Sequence, residues 1–108
     1  MKRGDLVTIA QKGDYESKPR PAVVIQSDVF DALDSVTVCL VTGEEAAAPI
    51  IRPVLDPDET NKLRTRSWVQ IDKIATIRRG RVGSVFGEVS DTDMRRITAS
   101  LAVFLGIA

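Results

Sequence analysis

Arg20-Pro21-Ala22-Val23-Val24-Ile25-Gln26-Ser27-Asp28 and, after a short gap, Val36-Thr37-Val38-Cys39-Leu40-Val41-Thr42-Gly43 are the stretches on which the fold turns. Each is a brief apolar run rich in β-branched residues and bounded by turn formers, the pattern of a strand. Working outward, Asp5–Ile9 reads as a short strand, and residues 11–19 as a polar loop with turn chemistry. Residues 28–34 read as a turn or one turn of helix. Ile50–Leu55 carries Pro53, which marks an edge or irregular strand because proline cannot donate to a ladder. Arg66–Gln70, Ile74–Ile77 and Val82–Phe86 are further strand candidates. Short strands this closely spaced in 108 residues predict one domain, α+β but mainly β, built as a small barrel rather than a layered α/β sheet.

The period changes near the end. Ser90 followed by Asp93 resembles a capping box, and Asp91 and Asp93 fall in a first turn, where the helix dipole favours acids. Met94, Ile97, Leu101, Phe104 and Leu105 then recur at helical spacing, predicting a helix from Asp91 to Leu105 whose apolar face serves a core or a dimer interface.

Composition excludes several classes of function. No apolar run approaches the roughly 20 residues needed to cross a bilayer, and Met1-Lys2-Arg3-Gly4-Asp5 lacks the apolar segment of a signal peptide. A cytosolic protein with no membrane contact is expected. The chain has no histidine, so no imidazole serves as acid, base or ligand. Its single cysteine, Cys39, lies among β-branched residues and is expected to be a buried, inert thiol; alone it forms neither an intramolecular disulfide nor a zinc cage. No cluster of acids advertises a metal site, and no cofactor is expected.

The zero net charge hides a segregation. Between Thr60 and Val82 the cations are Lys62, Arg64, Arg66, Lys73, Arg78, Arg79 and Arg81, with Asp72 the only acid. The preceding stretch holds Glu44, Glu45, Asp56, Asp58 and Glu59 against Arg52. Arg78-Arg79-Gly80-Arg81 reads as a basic turn suited to phosphates. An arginine entering one strand (Arg20) and a threonine leaving the next (Thr42) point a fixed fork of donors and one adjustable hydroxyl at a single phosphate.

Arg20-Pro21 and Thr42, together with Arg3-Gly4-Asp5 at the start and Leu105-Gly106-Ile107 at the end, make the whole chain resemble the MazF/PemK family of toxin endoribonucleases. The resemblance implies an SH3-like, CcdB/PemK-type barrel. It also implies metal-independent, sequence-specific cleavage of single-stranded RNA by attack of a 2′-hydroxyl, leaving 2′,3′-cyclic phosphate and 5′-hydroxyl ends. Arg20 and Thr42 match the family's catalytic pair. Where some relatives carry Arg-x-Asp, this chain has Gln70-Ile71-Asp72, keeping the acid; Asp72 is expected to act as a base or an orienting group, and equally suits as a partner for neighbouring arginines. The family's Arg-Thr-Ile-Asp reads Ala75-Thr76-Ile77-Arg78. Tyr15-Glu16-Ser17 stands where relatives have a histidine or Glu-Gln. The implied RNA-binding set is Glu16, Lys18, Arg64, Arg66, Gln70, Arg78, Arg79 and Arg81. A two-fold homodimer and an antitoxin with a disordered acidic tail lying over the basic segment are the implied partners.

A rival reading comes from CcdB, which shares the fold and traps DNA gyrase without cleaving. Val24-Ile25-Gln26-Ser27-Asp28-Val29, Ser67-Trp68 and the tail Phe104-Leu105-Gly106-Ile107 are similar to that family. On that reading Arg20 is structural and function lies in the tail. Arg20-Pro21 with Thr42 favours the nuclease. Trp68, the only tryptophan, is a candidate for antitoxin contact or base stacking, or simply a half-buried strand aromatic.

Overall fold

The computed structural model describes residues 1–10 and 19–108. Its strands are β1 (Asp5–Ile9), β2 (Arg20–Val24), β3 (Ser35–Thr42), β4 (Val54–Leu55), β5 (Ser67–Arg78) and β6 (Val82–Glu88), followed by helix α1 (Asp91–Phe104). Turns of 3-10 helix at Asp28–Phe30 and Arg79–Arg81 complete the course. The strands form one antiparallel sheet in the order β4-β5-β3-β2-β1-β6, curled into a half-barrel, so the expected mainly β fold with a terminal helix is present.

Strand alternation puts apolar residues on both faces of the central strands. Leu6, Val23, Cys39, Val41, Val69 and Ile71 face one core, closed by Ile97 and Leu101 of α1. Val7, Ile9, Ala22, Val24, Val36 and Val38 form a second cluster on the opposite face. Full burial of a side chain such as Ile97, which is 0% exposed, contributes about 1.5–3 kcal/mol. Ser90 caps α1 as expected, its hydroxyl accepting from the Asp93 amide at 3.1 Å. Of the helix's apolar face, expected to serve a core or a dimer interface, Ile97 and Leu101 enter the core while Phe104 and Leu105 are exposed.

Two expected strands are one. Arg66–Gln70 and Ile74–Ile77 merge into the 12-residue β5. Its ladder with β3 breaks between Cys39 and Val41, where the partner moves from Ile74 to Val69. The bulged segment holds the polar Asp72 and Lys73, which is why periodicity splits there. On the Val69 side of the bulge β5 keeps β3 and gains a second neighbour: the Val69 and Ile71 amides donate to Pro53 and Ile51 carbonyls at 2.9 and 3.0 Å, so 51–55 runs as the irregular edge strand foreseen around Pro53. Pro21 is accommodated at a ladder end, since pairing of β2 with β3 starts only at Ala22.

The curled sheet's edges meet through a loop. Asn61, 1% exposed, accepts from the amides of Asp58 (3.0 Å) and Leu63 (2.9 Å) and donates to the Asp56 carbonyl (2.8 Å). The organised loop offers the Thr60 carbonyl to the Glu88 amide of β6 at 3.0 Å. A side chain at Gly87 would collide with the Asn61 backbone, so only glycine permits this approach.

Candidate active site

The site follows from register. β2 and β3 pair Ala22 with Leu40 and Val24 with Val38. The same register, extended two residues past the last pair, aligns Arg20 with Thr42 at the open end of the ladder. Thr42 in turn pairs with Trp68 of β5, and Trp68 with Val54 of β4; on the other side Arg20 pairs with Ile9 and Ile9 with Val82. Directly paired residues share a face. Arg20, Thr42 and Trp68 therefore form a row crossing the strands on the face away from α1, with Gln70 and Asp72 next along β5 on that face.

Arg20 is exposed and Thr42 partly buried. The Thr42 hydroxyl accepts from the Glu44 amide at 3.1 Å, which fixes the turn after β3 and leaves the hydroxyl's own proton to donate. Asp72 is held by Arg52 in a bidentate contact, Nε to Oδ1 at 2.9 Å and Nη2 to Oδ2 at 3.0 Å. The Arg52 guanidinium, outweighing the cost of partial burial, holds the Asp72 carboxyl below its ordinary value, so it is ionised at neutral pH.

The basic residues are not one patch. Arg66 precedes β5, pairs with Asp56 at 3.0 Å and lies 6.0 Å from the Trp68 ring centroid. Arg64 is exposed nearby. Arg78 pairs with Ser35 at the far end of β3 and, with Arg79, Gly80, Arg81 and Asp34, lines a broad hollow of about 850 Å³. Arg79 donates through Nε to the Leu33 carbonyl. Arg81 reaches back to the Ala10 carbonyl at 3.4 Å, beside the β1 end that pairs with Arg20. Glu16 and Lys18 lie outside the described residues.

Two arginines escaped the sequence reading. Arg52 was only a minority charge in an acidic stretch, and Arg96 one of two arginines on a helix. A tertiary signal existed for the first: with Val54 opposite Trp68, Arg52 falls opposite Gln70. Arg96 spans from α1 to the edge strand, donating to Asp93 (2.8 Å) and to the Val54 carbonyl (2.5 Å). Cys39 is buried as expected, and burial together with the Asp72 charge pushes its thiol up to about 12.

The family profile for PemK-like, MazF-like toxins of type II toxin–antitoxin systems matches residues 2–105. The chain belongs to this family. Among MazF/PemK relatives, the probable endoribonuclease MazF of Mycolicibacterium smegmatis is 44% identical over 108 residues, covering 100% of this chain and 99% of its own length. Endoribonuclease MazF6 of Mycobacterium tuberculosis is 31% identical over 91 residues, 82% of this chain and 80% of its own. In fold, the chain is similar to a mycobacterial endoribonuclease solved with its cognate antitoxin (TM-score 0.82, 20% identity, covering 100% and 97%). It is also similar to MazE–MazF of Deinococcus radiodurans (TM-score 0.80, 20% identity, covering 100% and 98%).

Proposed function

We propose that this chain is a metal-independent endoribonuclease that cuts single-stranded RNA, mRNA included, at short sequence motifs, as the toxin of a toxin–antitoxin pair. The observation that carries the reading is the β2–β3 register, which, extended past Ala22 and Leu40, brings the exposed Arg20 level with the partly buried Thr42. Attack comes from the substrate's own 2′-hydroxyl on the adjacent phosphorus; the P–O5′ bond breaks, giving a 2′,3′-cyclic phosphate and a 5′-hydroxyl. Proximity is thus intrinsic to the RNA, and the protein orients the phosphate and neutralises developing charge. Arg20 donates to the phosphoryl oxygens and Thr42 donates to the same group. Asp72, ionised and bidentate, acts as an orienting group that fixes Arg52 beside the row. Gln70, Arg64, Arg66, Arg78, Arg79 and Arg81 meet the RNA chain on either side, and Glu16 and Lys18, which precede Arg20 in sequence, also contact it.

The protein acts in the cytoplasm as a two-fold dimer, and an acidic antitoxin tail silences it by lying over the segment from Arg64 to Arg81. Exposed Val103, Phe104, Leu105 and Ile107 support a surface that a partner covers. The similarity to a structure with a cognate antitoxin supports the second partner.

The test is digestion of a long single-stranded RNA in EDTA by the native protein, Arg20→Ala and Thr42→Ala. Native protein yields discrete cuts with 5′-hydroxyl ends, and loss of the Arg20 donor lowers the rate by about 10²–10³-fold. Absence of cutting by the folded native dimer defeats the reading and shifts function to the exposed tail and a gyrase-binding role.

A further inference from the structure

Trp68 belongs to neither core cluster, although it stands mid-sheet between Thr42 and Val54. Its ring is half-buried and borders a hollow of about 210 Å³ shared with Arg52, Arg66, Arg96, Glu45 and Pro49. The three guanidiniums are already held: Arg52 by Asp72 at 2.9 Å, Arg66 by Asp56 at 3.0 Å, Arg96 by Asp93 at 2.8 Å. None of those three acids lines the hollow. Its wall is therefore rich in oriented donors, with Glu45 the one carboxylate acceptor among them, and an aromatic face lies alongside. Its volume falls below the ~300–1,000 Å³ of sites for drug-sized ligands, which suits one planar ring system.

We propose that this hollow is the subsite for one unpaired nucleobase flanking the scissile phosphate. The proposal rests on the ribonuclease reading above and names a recognition element that reading does not contain. Thr42 and Trp68 are direct ladder partners, so a phosphate held by Arg20 and Thr42 leaves its neighbouring base within reach of the indole. Stacking on Trp68 supplies affinity for any base. The arginine donors and the Glu45 acceptor read the hydrogen-bonding edge, because ring nitrogens and carbonyls take the former and exocyclic or imino N–H groups the latter. The hollow and the Arg81 end lie on opposite sides of Arg20 along the row, so the RNA chain runs across the strands.

The sole tryptophan makes the test direct. The probe is a short single-stranded RNA spanning the mapped cut, with a single 2′-deoxy nucleotide that removes the attacking hydroxyl. Binding quenches Trp68 fluorescence. An abasic substitution at the flanking position abolishes quenching and weakens binding by about 5- to 150-fold, the equivalent of one lost base stack. Arg20→Ala cuts about 10²–10³-fold more slowly and still shows the quenching at saturating RNA. Trp68→Phe retains more affinity than Trp68→Ala, and Glu45→Ala, on an exposed loop, changes the preferred base at one flanking position in a map of 5′-hydroxyl ends. Saturable binding with unchanged Trp68 emission overturns the subsite while leaving the ribonuclease intact. If the native protein cuts nothing, the titration uses random-sequence single-stranded RNA: quenching then keeps the subsite without the ribonuclease, and no quenching removes both.

Discussion

Asp5 and Asp72 are carboxyls whose titration the fold displaces in the same direction by different means. Burial works against the charge of Asp5, but the Lys2 amide and ammonium, at 2.8 and 2.9 Å, overcome it and hold the carboxyl below its ordinary value. Asp72 is held low by the Arg52 fork. A carboxyl depressed in the folded state contributes stability that is complete above its unfolded pKa, about 4, and is lost as the pH falls through the lowered folded value. Urea midpoints of the native protein accordingly fall between about pH 5 and pH 3. Asp5→Asn lowers the midpoint at neutral pH and shows a shallower fall; an equally steep fall would remove Asp5 from the account. At this scale the sequence was informative where a residue marks the end of its own strand, as Arg20 and Thr42 do. Arg52 was illegible because its role depends on facing Gln70 and reaching Asp72 across a register that only the assembled sheet defines.

Among the elements, β5 was half legible. Its two apolar halves show strand periodicity, but the bulge at Asp72 and Lys73 interrupts the alternation without ending the strand. The loop between β4 and β5 was not legible at all, because its polar residues look like ordinary solvated turn. Instead Asn61 is buried and organises it, and the loop joins the sheet's two edges at Glu88. Asn61→Ala leaves the Asp58 and Leu63 amides without their partner and destabilises by about 2–3 kcal/mol, read as a lower urea midpoint at unchanged slope. Gly87→Ala forces a Cβ against the Asn61 backbone and lowers the midpoint further still. A Gly87→Ala protein as stable as the native one would show that the edges do not meet here.

For the whole molecule, the strand pattern foretold a small mainly β fold with a terminal helix, because periodicity of two and of 3.6 are local signals. It did not foretell that the basic stretch from Lys62 to Arg81 is divided. β5 separates Arg66, just before its first residue, from Arg78 at its last, and Arg79 beyond it donates through Nε to the Leu33 carbonyl. Charge clustering along a chain becomes clustering in space only where the chain turns back on itself, and a 12-residue strand does the opposite.

The lone thiol of Cys39 lies on β3, in the middle of the strand order and fully shielded, with its proton held up to about 12. No local fraying of an edge strand or of α1's last turn uncovers it; the core between the sheet and α1 must open. Cys39 is thus a built-in clock for global opening. Its alkylation in native buffer runs at a rate set by the unfolding equilibrium, and rises in step with urea along the same slope as the bulk transition. Labelling much faster than that slope allows would reveal that α1 lifts from the sheet before the strands part.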